Sequence, residues 1–453
     1  MVDSWSSSVD AHLDWTPGSG RRGLAKAVRA AIRDGRWQPG TVVPSTRALA
    51  HDLGLARGTV TRVYADLAAE GYLLTSQGAP TRVATAGVEP LSMPRTVSAE
   101  ESRPRWTLMP GRPDPSLFPR DAWVAAMRRV LQHTPNETFD YGDPRGSSVL
   151  RTTLAAYLGR SRGVLADPAR IVICAGYSHA LSVLGRALRE LGITETAFED
   201  PSVRAFRDLT EASGQRVVGV PVDGDGLRVD QLSSPAVVVT PAHQAPLGVT
   251  MAPSRRTALA QTGAVIVEDD YDGEFRYDRQ QVGALQALAP ERVVYAGSAS
   301  KSLSPSLRLG WLVLPRFLVD PVVAAVTTSG AHPPALEQLT LAHLISSGGY
   351  DRHVRRCRVE YRSRRDALVA ALPRQLIPQG ISAGLHLVLP LDTSTESRVP
   401  ATARRHALAI ETVGAQRMRP AEGAGGLIVG YGAPAKHAFA GALEALLGLL
   451  REL

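Results

Sequence analysis

Four short apolar runs, each broken off by a cluster of polar residues, restrict this chain more than any other feature. The runs are Ile171 to Ala175, Val237 to Thr240, Val265 to Val267 and Val293 to Ala296, and the clusters after them are GYSH, PAHQ, EDDYD and GSASK. An apolar run too short for a helix and free of polar alternation suits a strand covered on both faces, as in a parallel sheet. Helical patterns between the runs complete an α/β domain. Ligands in such sheets gather at the carboxyl ends of the strands, so the four polar clusters are expected to meet at one site.

Ahead of this region the pattern changes. Leu24, Val28 and Ile32 recur at helical spacing, and helices are predicted at about Arg22 to Asp34, Ser45 to Leu53 and Ala56 to Glu70, with Gly54 between the last two. Gly71 to Ala84 reads as a short hairpin turning at Gly78-Ala79-Pro80. Three helices and a hairpin make a winged helix. Residues 86–105 are rich in Pro, Ser, Thr and Glu without apolar periodicity, the composition of a solvated linker. The expected layout is a winged helix-turn-helix over 1–85, a linker over 86–105 and the α/β domain over 106–453. The tail from about Gly330 is expected to form a smaller α+β domain, with strands near Gly384 to Leu389 and Leu427 to Tyr431. The first 20 residues, which include Trp5 and Trp15, suggest no mechanism.

Two cysteines, Cys174 and Cys357, make no disulfide framework, and no Cys/His cluster has zinc spacing. No run approaches the roughly 20 apolar residues of a membrane helix, and MVDSWSSSVD lacks a leader pattern, so a cytoplasmic protein is expected. A formal charge of +8 permits nucleic-acid binding without requiring it. The choice of cation says more: of 51 basic residues, only Lys26, Lys301 and Lys436 are lysines. An arginine-rich chain that keeps a lysine in a polar loop suggests a position needing an amine that can lose its proton. An arbitrary lysine is ordinarily a surface residue, so the neighbours of Lys301 decide.

In PSTRALAHDLGLARGTVTRVYADLAAEGYL, Gly54 lets two helices meet at a tight angle. The second presents Ala56, Arg57, Gly58, Thr59, Thr61 and Arg62 at its N-terminal end. Small Ala56 and Gly58 permit close approach to a major groove. Arg57 suits a guanine edge or a phosphate, and Thr59 and Thr61 suit phosphate or a thymine methyl. Val60, Val63, Tyr64 and Leu67 fall on the core face. The stretch from about Arg21 to Val83 resembles the GntR-type winged helix-turn-helix. That resemblance implies double-stranded promoter DNA as the partner, and adds Arg47 with Ser45 at the start of the preceding helix, and Gln77 and Gly78 at the wing tip. Without it the arginines read as solvated helix residues, and a winged helix used for protein contact is the competing use.

The segment GSASKSLSPSLRLGW carries Ser298, Ser300, Lys301 and Arg308. A neutral lysine amine condenses with carbonyls, a nearby arginine lowers its pKa and binds phosphate bidentately, and hydroxyls add phosphate donors. An aldehyde cofactor bearing a phosphate would use this arrangement. In Glu268-Asp269-Asp270-Tyr271 a carboxylate, assigned to Asp269, can keep a pyridine nitrogen protonated while the Tyr271 phenol bonds the ring oxygen. Alone, that acidic loop would equally cap a helix or hold a metal. Gly176, Tyr177, Ser178 and His179 open a predicted helix whose free N–H groups suit a phosphate. His243 and Gln244, in the remaining loop, complete the expected neighbours, although single histidines are weak signals.

Residues from about Met109 to Leu453 resemble fold-type I aminotransferases, through GRPDPSLFP, YGDPRG, TPAHQAPLGVTM and VEDDYDGEFRY, and the order of the two halves resembles the MocR family of regulators. The resemblance implies pyridoxal 5'-phosphate (PLP) on Lys301, Asp269 and Tyr271 on its ring, and Arg308, Ser298 and Ser300 on its phosphate. It also implies a head-to-tail homodimer in which Tyr141 reaches the other subunit's phosphate. Three departures stand out. Val203 occupies a position where these regulators commonly carry a ring-stacking aromatic, so stacking is either missing or supplied from elsewhere, with Tyr177 as the candidate. HQAPLG lacks the asparagine of the aminotransferase NPTG motif, and Ile428 stands where true aminotransferases place a carboxylate-gripping arginine. These departures weigh against amino-acid turnover. The expected function is a regulator that senses PLP or a small amine reacting with it, like the PdxR-like members that control vitamin B6 synthesis. A PLP-dependent aminotransferase with an accessory winged helix is the alternative, and a C-terminal domain that only dimerises is a third.

Overall fold

The structure, a computed structural model, describes residues 13–76, 78–84, 104–277, 282–418 and 424–453. The chain divides into two compact units, Met1–Ser102 and Arg103–Leu453. In the first, helices Gly20–Arg33, Thr46–Asp52 and Arg57–Ala69 precede strands Leu73–Leu74 and Arg82–Val83, which pair antiparallel with Leu73 opposite Val83. Leu24, Val28 and Ile32 share one core with Val60, Val63, Tyr64 and Leu67, closed by Trp37 and Leu73. Gly54 turns between the second and third helices at φ +63°, a left-handed conformation that side chains resist. Trp15 packs against this core and buries its indole N–H without a partner. The expected linker lies outside the described residues except for 104–105.

The second unit is built on an eight-stranded sheet. Its spatial order is Ile171–Cys174, Gly310–Val313, Val293–Ser298, Val265–Asp269, Ala236–Val239, Glu195–Asp200, Arg216–Asp223 and Gly226–Leu227. Gly310–Val313 runs antiparallel to both of its neighbours, and Gly226–Leu227 runs antiparallel to Arg216–Asp223. The remaining pairs are parallel. All four apolar runs therefore point the same way, and their carboxyl ends open on one edge. Alternate side chains enter two cores. Val172 and Cys174 pack under helices Tyr177–Glu190 and Arg316–Ser329, while Ile171 and Ile173 pack under Ser148–Arg162 and Ala335–Ser346. Each fully buried aliphatic side chain contributes roughly 1.5–3 kcal/mol, which makes the covered sheet a firm platform for the loops at its edge.

The tail departs from expectation in one respect. Helix Ala335–Ser346 packs on helices Arg120–His133 and Ser148–Arg162 and covers the large sheet. It is apolar on most sides, as fits a helix buried between other elements. The smaller domain instead draws on distant segments: Leu108, Phe275 and Tyr277 share its core with Leu387, Leu427, Tyr431 and Leu446. Strand Trp106–Thr107 pairs parallel with Leu408–Ala409, and Leu387–Leu391, Gly425–Val429 and Glu411–Thr412 form its three-stranded sheet. Among the described residues no helix is long and apolar enough to cross a membrane, and no side-chain cluster could hold a metal ion.

Candidate cofactor cavity and DNA-contacting surface

A cavity of about 770 Å³ opens at the carboxyl edge of the sheet, and Lys301, Asp269, Tyr271, Tyr177, Ser178, Ser298, Ser300 and Arg308 all line it. Lys301 follows strand Val293–Ser298 by three residues and lies partly buried. Loss of water lowers its amine pKa; the Asp269 and Asp272 carboxylates oppose that shift, and the Arg112 guanidinium adds to it. A methyl group on Gly111 would sit 3.5 Å from the amine, so a backbone turn closes over it.

The fold sorts the acidic run by direction. Glu268 accepts the backbone N–H groups of Leu285 and Gln286 at 2.8 and 2.9 Å. Asp270 accepts Arg162 Nε–H and Nη2–H at 2.6 and 2.9 Å and the Tyr295 hydroxyl at 2.6 Å. Asp272 lies 2.8 Å from His243 Nδ1, which is also 2.9 Å from the Tyr271 phenol oxygen. Of the run's carboxylates only Asp269 lines the cavity. Burial raises its pKa to about 8, against the opposing pull of Lys301 and of the Tyr177 hydroxyl. That hydroxyl is itself buried without a well-formed hydrogen bond.

At the opposite end of the lysine loop, Ser298 donates to the Ser300 hydroxyl at 2.7 Å and accepts the Ser300 backbone N–H at 3.0 Å. Arg308 adopts φ +52°, a left-handed conformation that costs a residue with a side chain on the order of 1 kcal/mol. Its guanidinium packs on Gly176, where a Cβ would lie 3.5 Å from the guanidinium carbon. Gly176 precedes helix Tyr177–Glu190, so the arginine and the helix N-terminus adjoin.

Other expected neighbours fall elsewhere. Gln244 stands behind the wall: its amide donates to the Pro201 and Ala245 carbonyls at 2.9 and 3.0 Å and to Glu199 at 3.2 Å, and its oxygen accepts the Leu247 N–H at 2.8 Å. Those bonds consume the amide, and the residue shapes its loop rather than reaching the cavity. His243 also stays out of the lining and acts on Tyr271 from behind. His179 accepts the Ala175 N–H at 3.1 Å and meets Ser329 at 3.0 Å, both structural contacts. Tyr141 is fully exposed and does not line the cavity of its own chain. Val203 and Ile428 do line it, and Tyr177 meets Phe206 edge-on with ring centroids 4.8 Å apart.

Sequence reasoning missed Arg112, Glu199, Phe206 and His386, all of which line the cavity. Glu199 accepts the Thr240 hydroxyl at 2.6 Å and its N–H at 3.1 Å, while burial raises its pKa to about 7. His386 donates Nε2–H to the Pro246 carbonyl at 3.0 Å, and burial lowers its pKa to about 4, which keeps the ring neutral. A polar residue ending an apolar strand, as Glu199 does in TAFED, was the available signal.

In the first unit, Ser45 accepts the Ala48 N–H at 3.1 Å and caps helix Thr46–Asp52, with Arg47 exposed beside it. Arg57, Gly58, Thr61 and Arg62 are exposed on the next helix, and Thr59 is half-buried. The Thr61 hydroxyl donates to the Arg57 carbonyl at 3.0 Å. Gly78 is exposed at φ +82°, and Gln77 lies outside the described residues. Ion pairs Arg21–Asp66 at 2.6 Å and Arg29–Glu70 at 2.5 Å brace the first helix against the third and its end.

Residues 113–413 match the aminotransferase class I and II family, and residues 21–83 match the bacterial regulatory proteins of the gntR family. MocR of Rhizobium meliloti, a probable rhizopine catabolism regulatory protein, is 34% identical and covers 83% of this chain and 83% of its own. PdxR of Corynebacterium glutamicum, an HTH-type pyridoxine biosynthesis transcriptional regulator, is 32% identical, covering 84% of this chain and 85% of its own. An archaeal alanine:glyoxylate aminotransferase superposes with a TM-score of 0.68 at 25% identity, over 77% of this chain and 90% of that one. A Pyrococcus horikoshii kynurenine aminotransferase shares the fold with a TM-score of 0.69 at 22% identity, over 78% and 92%. Fold and relatives together define a DNA-binding HTH-type transcription regulator built on an aminotransferase-like domain. The chain belongs to the MocR-type regulators, in which a GntR-type winged helix is fused to a fold-type I aminotransferase-like domain.

Proposed function

We propose that this regulator holds PLP on Lys301 and changes its grip on promoter DNA when PLP, or a small amine reacting with it, occupies the cavity. The observation that carries this is the meeting of Lys301 and Asp269 in one cavity wall with the Ser298, Ser300 and Arg308 donors. The residues fit the cofactor. A phosphate needs donors and a cation, supplied by the two hydroxyls, the guanidinium and the helix N-terminus beyond Gly176. Asp269, desolvated and close to Lys301 and Tyr177, suits a protonated ring nitrogen, whose charge would favour the ionised carboxylate. The lowered pKa of Lys301 raises the share of neutral, nucleophilic amine. Bound there, PLP supplies an electrophilic aldehyde. Tyr271, held by His243, keeps a phenol in the wall for the ring oxygen.

The Corynebacterium relative, named as a pyridoxine biosynthesis regulator, supports vitamin B6 synthesis genes as the target. Ile428 in the lining, in place of an arginine, supports a sensor over a catalyst. The complete lysine, aspartate and arginine combination favours a second reading, an aminotransferase with an accessory winged helix; steady amino transfer abolished by Lys301→Ala would establish it. Phe139 and Tyr141, exposed as are Val124 and Leu131, support a head-to-tail homodimer in which Tyr141 completes the other subunit's site. A ligand shifts DNA affinity only through unequal binding to two states. Binding of wild type and Lys301→Ala to DNA upstream of vitamin B6 synthesis genes, titrated with PLP, tests the reading. Affinity should change with PLP in the wild type alone, and an unchanged wild-type affinity contradicts it.

A further inference from the structure

Four carboxylates line the cavity, and three of them have partners within the protein. Asp208 pairs with Arg204 at 3.7 Å, Glu199 accepts the Thr240 hydroxyl at 2.6 Å, and Asp269 faces Lys301 and the Tyr177 hydroxyl. The fourth, Glu411, is half-buried, accepts the backbone N–H of its neighbour Thr412 at 3.1 Å, and pairs with no cation among the described residues. The other cations of the lining serve elsewhere: Arg308 packs on Gly176, and Arg112 acts on the Lys301 amine. In the three-stranded sheet Val388 stands opposite Ile428, and Ile428 opposite Glu411, so the three side chains share one face. Ile428 and Glu411 reach the cavity from that face. His386, just before strand Leu387–Leu391, lines the same cavity and is 4% exposed. Its Nε2–H is taken by the Pro246 carbonyl, and its Nδ1 is buried without a partner. A neutral imidazole that donates through one nitrogen accepts through the other. The small-domain wall therefore presents an unpaired carboxylate and an unpaired acceptor, and both gain free energy when a donor arrives.

We infer that the effector of this cavity is a diamine, an aliphatic chain with an amine at each end. One amine enters at the lysine end, and the other, as an ammonium, is received by Glu411, with His386 Nδ1 as a further acceptor on that wall. The inference rests on the reading that a small amine enters this cavity, and it specifies which. An ammonium brings three donors and no acceptor, which matches a wall of acceptors, and its charge complements the unpaired carboxylate. An amino acid that turned its carboxylate to this wall would instead meet a like charge beside apolar Ile428. A monoamine would leave Glu411 and His386 Nδ1 without donors.

The test is calorimetric titration of the full-length, PLP-loaded chain, without DNA, using linear diamines of three to six carbons. Each is compared with the monoamine and the ω-amino acid of equal length. At least one diamine should bind about tenfold to a hundredfold more tightly than its monoamine, the range of a hydrogen bond to a charged group. In Glu411→Gln the ratio of diamine to monoamine affinity should fall towards one; because the ratio is taken within one protein, a general loss of binding does not imitate this result. Diamines that bind no better than monoamines in the wild type overturn the inference, and so does a ratio that Glu411→Gln leaves unchanged. Tighter binding of the ω-amino acids would also overturn it, assigning Arg112 or Arg204 as the grip for an acid. If the loaded protein binds none of these amines, the inference fails and PLP itself is left as the signal. A protein that takes up no PLP overturns the proposed function, and this inference with it.

Discussion

Asp269 and Asp270 are consecutive, yet only Asp269 lines the cavity with Lys301, while Asp270 turns away to hold Arg162 through bonds of 2.6 and 2.9 Å. One carboxylate is left to a ligand and the other to the scaffold. Both are buried, so their replacement separates binding from folding.

Asp270→Asn should cost about 3–5 kcal/mol in urea unfolding, because it leaves the Arg162 guanidinium buried beside a neutral amide. Asp269→Asn should leave unfolding close to wild type and weaken PLP binding at least tenfold, about 1.4 kcal/mol, in a spectroscopic titration. Equal effects of both substitutions on stability would contradict the assignment.

Glu199 predicts a pH dependence. Its pKa rises from the ordinary 4.5 to about 7 in the fold, so between those values the folded chain binds the proton more tightly than the unfolded chain does. Its contribution is therefore fully present below about pH 4.5 and is lost as pH rises through about 7. Glu268 and Glu274 shift in the same direction, so the wild-type curve alone does not isolate Glu199. The difference between wild type and Glu199→Gln should move in favour of the variant by roughly 1–3 kcal/mol from pH 5 to pH 8, read from urea midpoints.

Arg57 and Ser45 separate DNA contact from helix capping. Arg57→Ala, on an exposed helix start, should weaken binding to the promoter by about 1–3 kcal/mol without altering the thermal midpoint or PLP binding. Ser45→Ala removes the bond to the Ala48 N–H and should destabilise the winged helix by about 1 kcal/mol in thermal unfolding, whatever it does to DNA.

Much of this architecture was legible in local patterns. The winged-helix elements follow from the Leu24, Val28, Ile32 spacing and Gly54, and the four apolar runs mark strands whose ends converge, because both depend on short-range periodicity. Asp269, Tyr271 and Lys301 stand out because their residue types follow strand ends. Gln244 was misplaced because its bonds to Pro201 and Glu199 come from another strand's loop, which spacing cannot reveal. Arg112, Phe206 and His386 were missed for the same reason: each arrives at the cavity from a separate element. Helix Ala335–Ser346 was grouped with the small domain by position along the chain, although its apolar circumference signals burial against the large sheet.

Covalent trapping tests the central claim most directly. The protein is incubated with PLP, reduced with borohydride, digested and analysed by peptide mass spectrometry. Lys301 competes there with only two other lysines, Lys26 and Lys436. A pyridoxyl group on the Lys301 peptide, absent from Lys301→Ala, is the expected result. Label confined to Lys26 or Lys436, or no label at all, would contradict the assignment of this cavity to PLP.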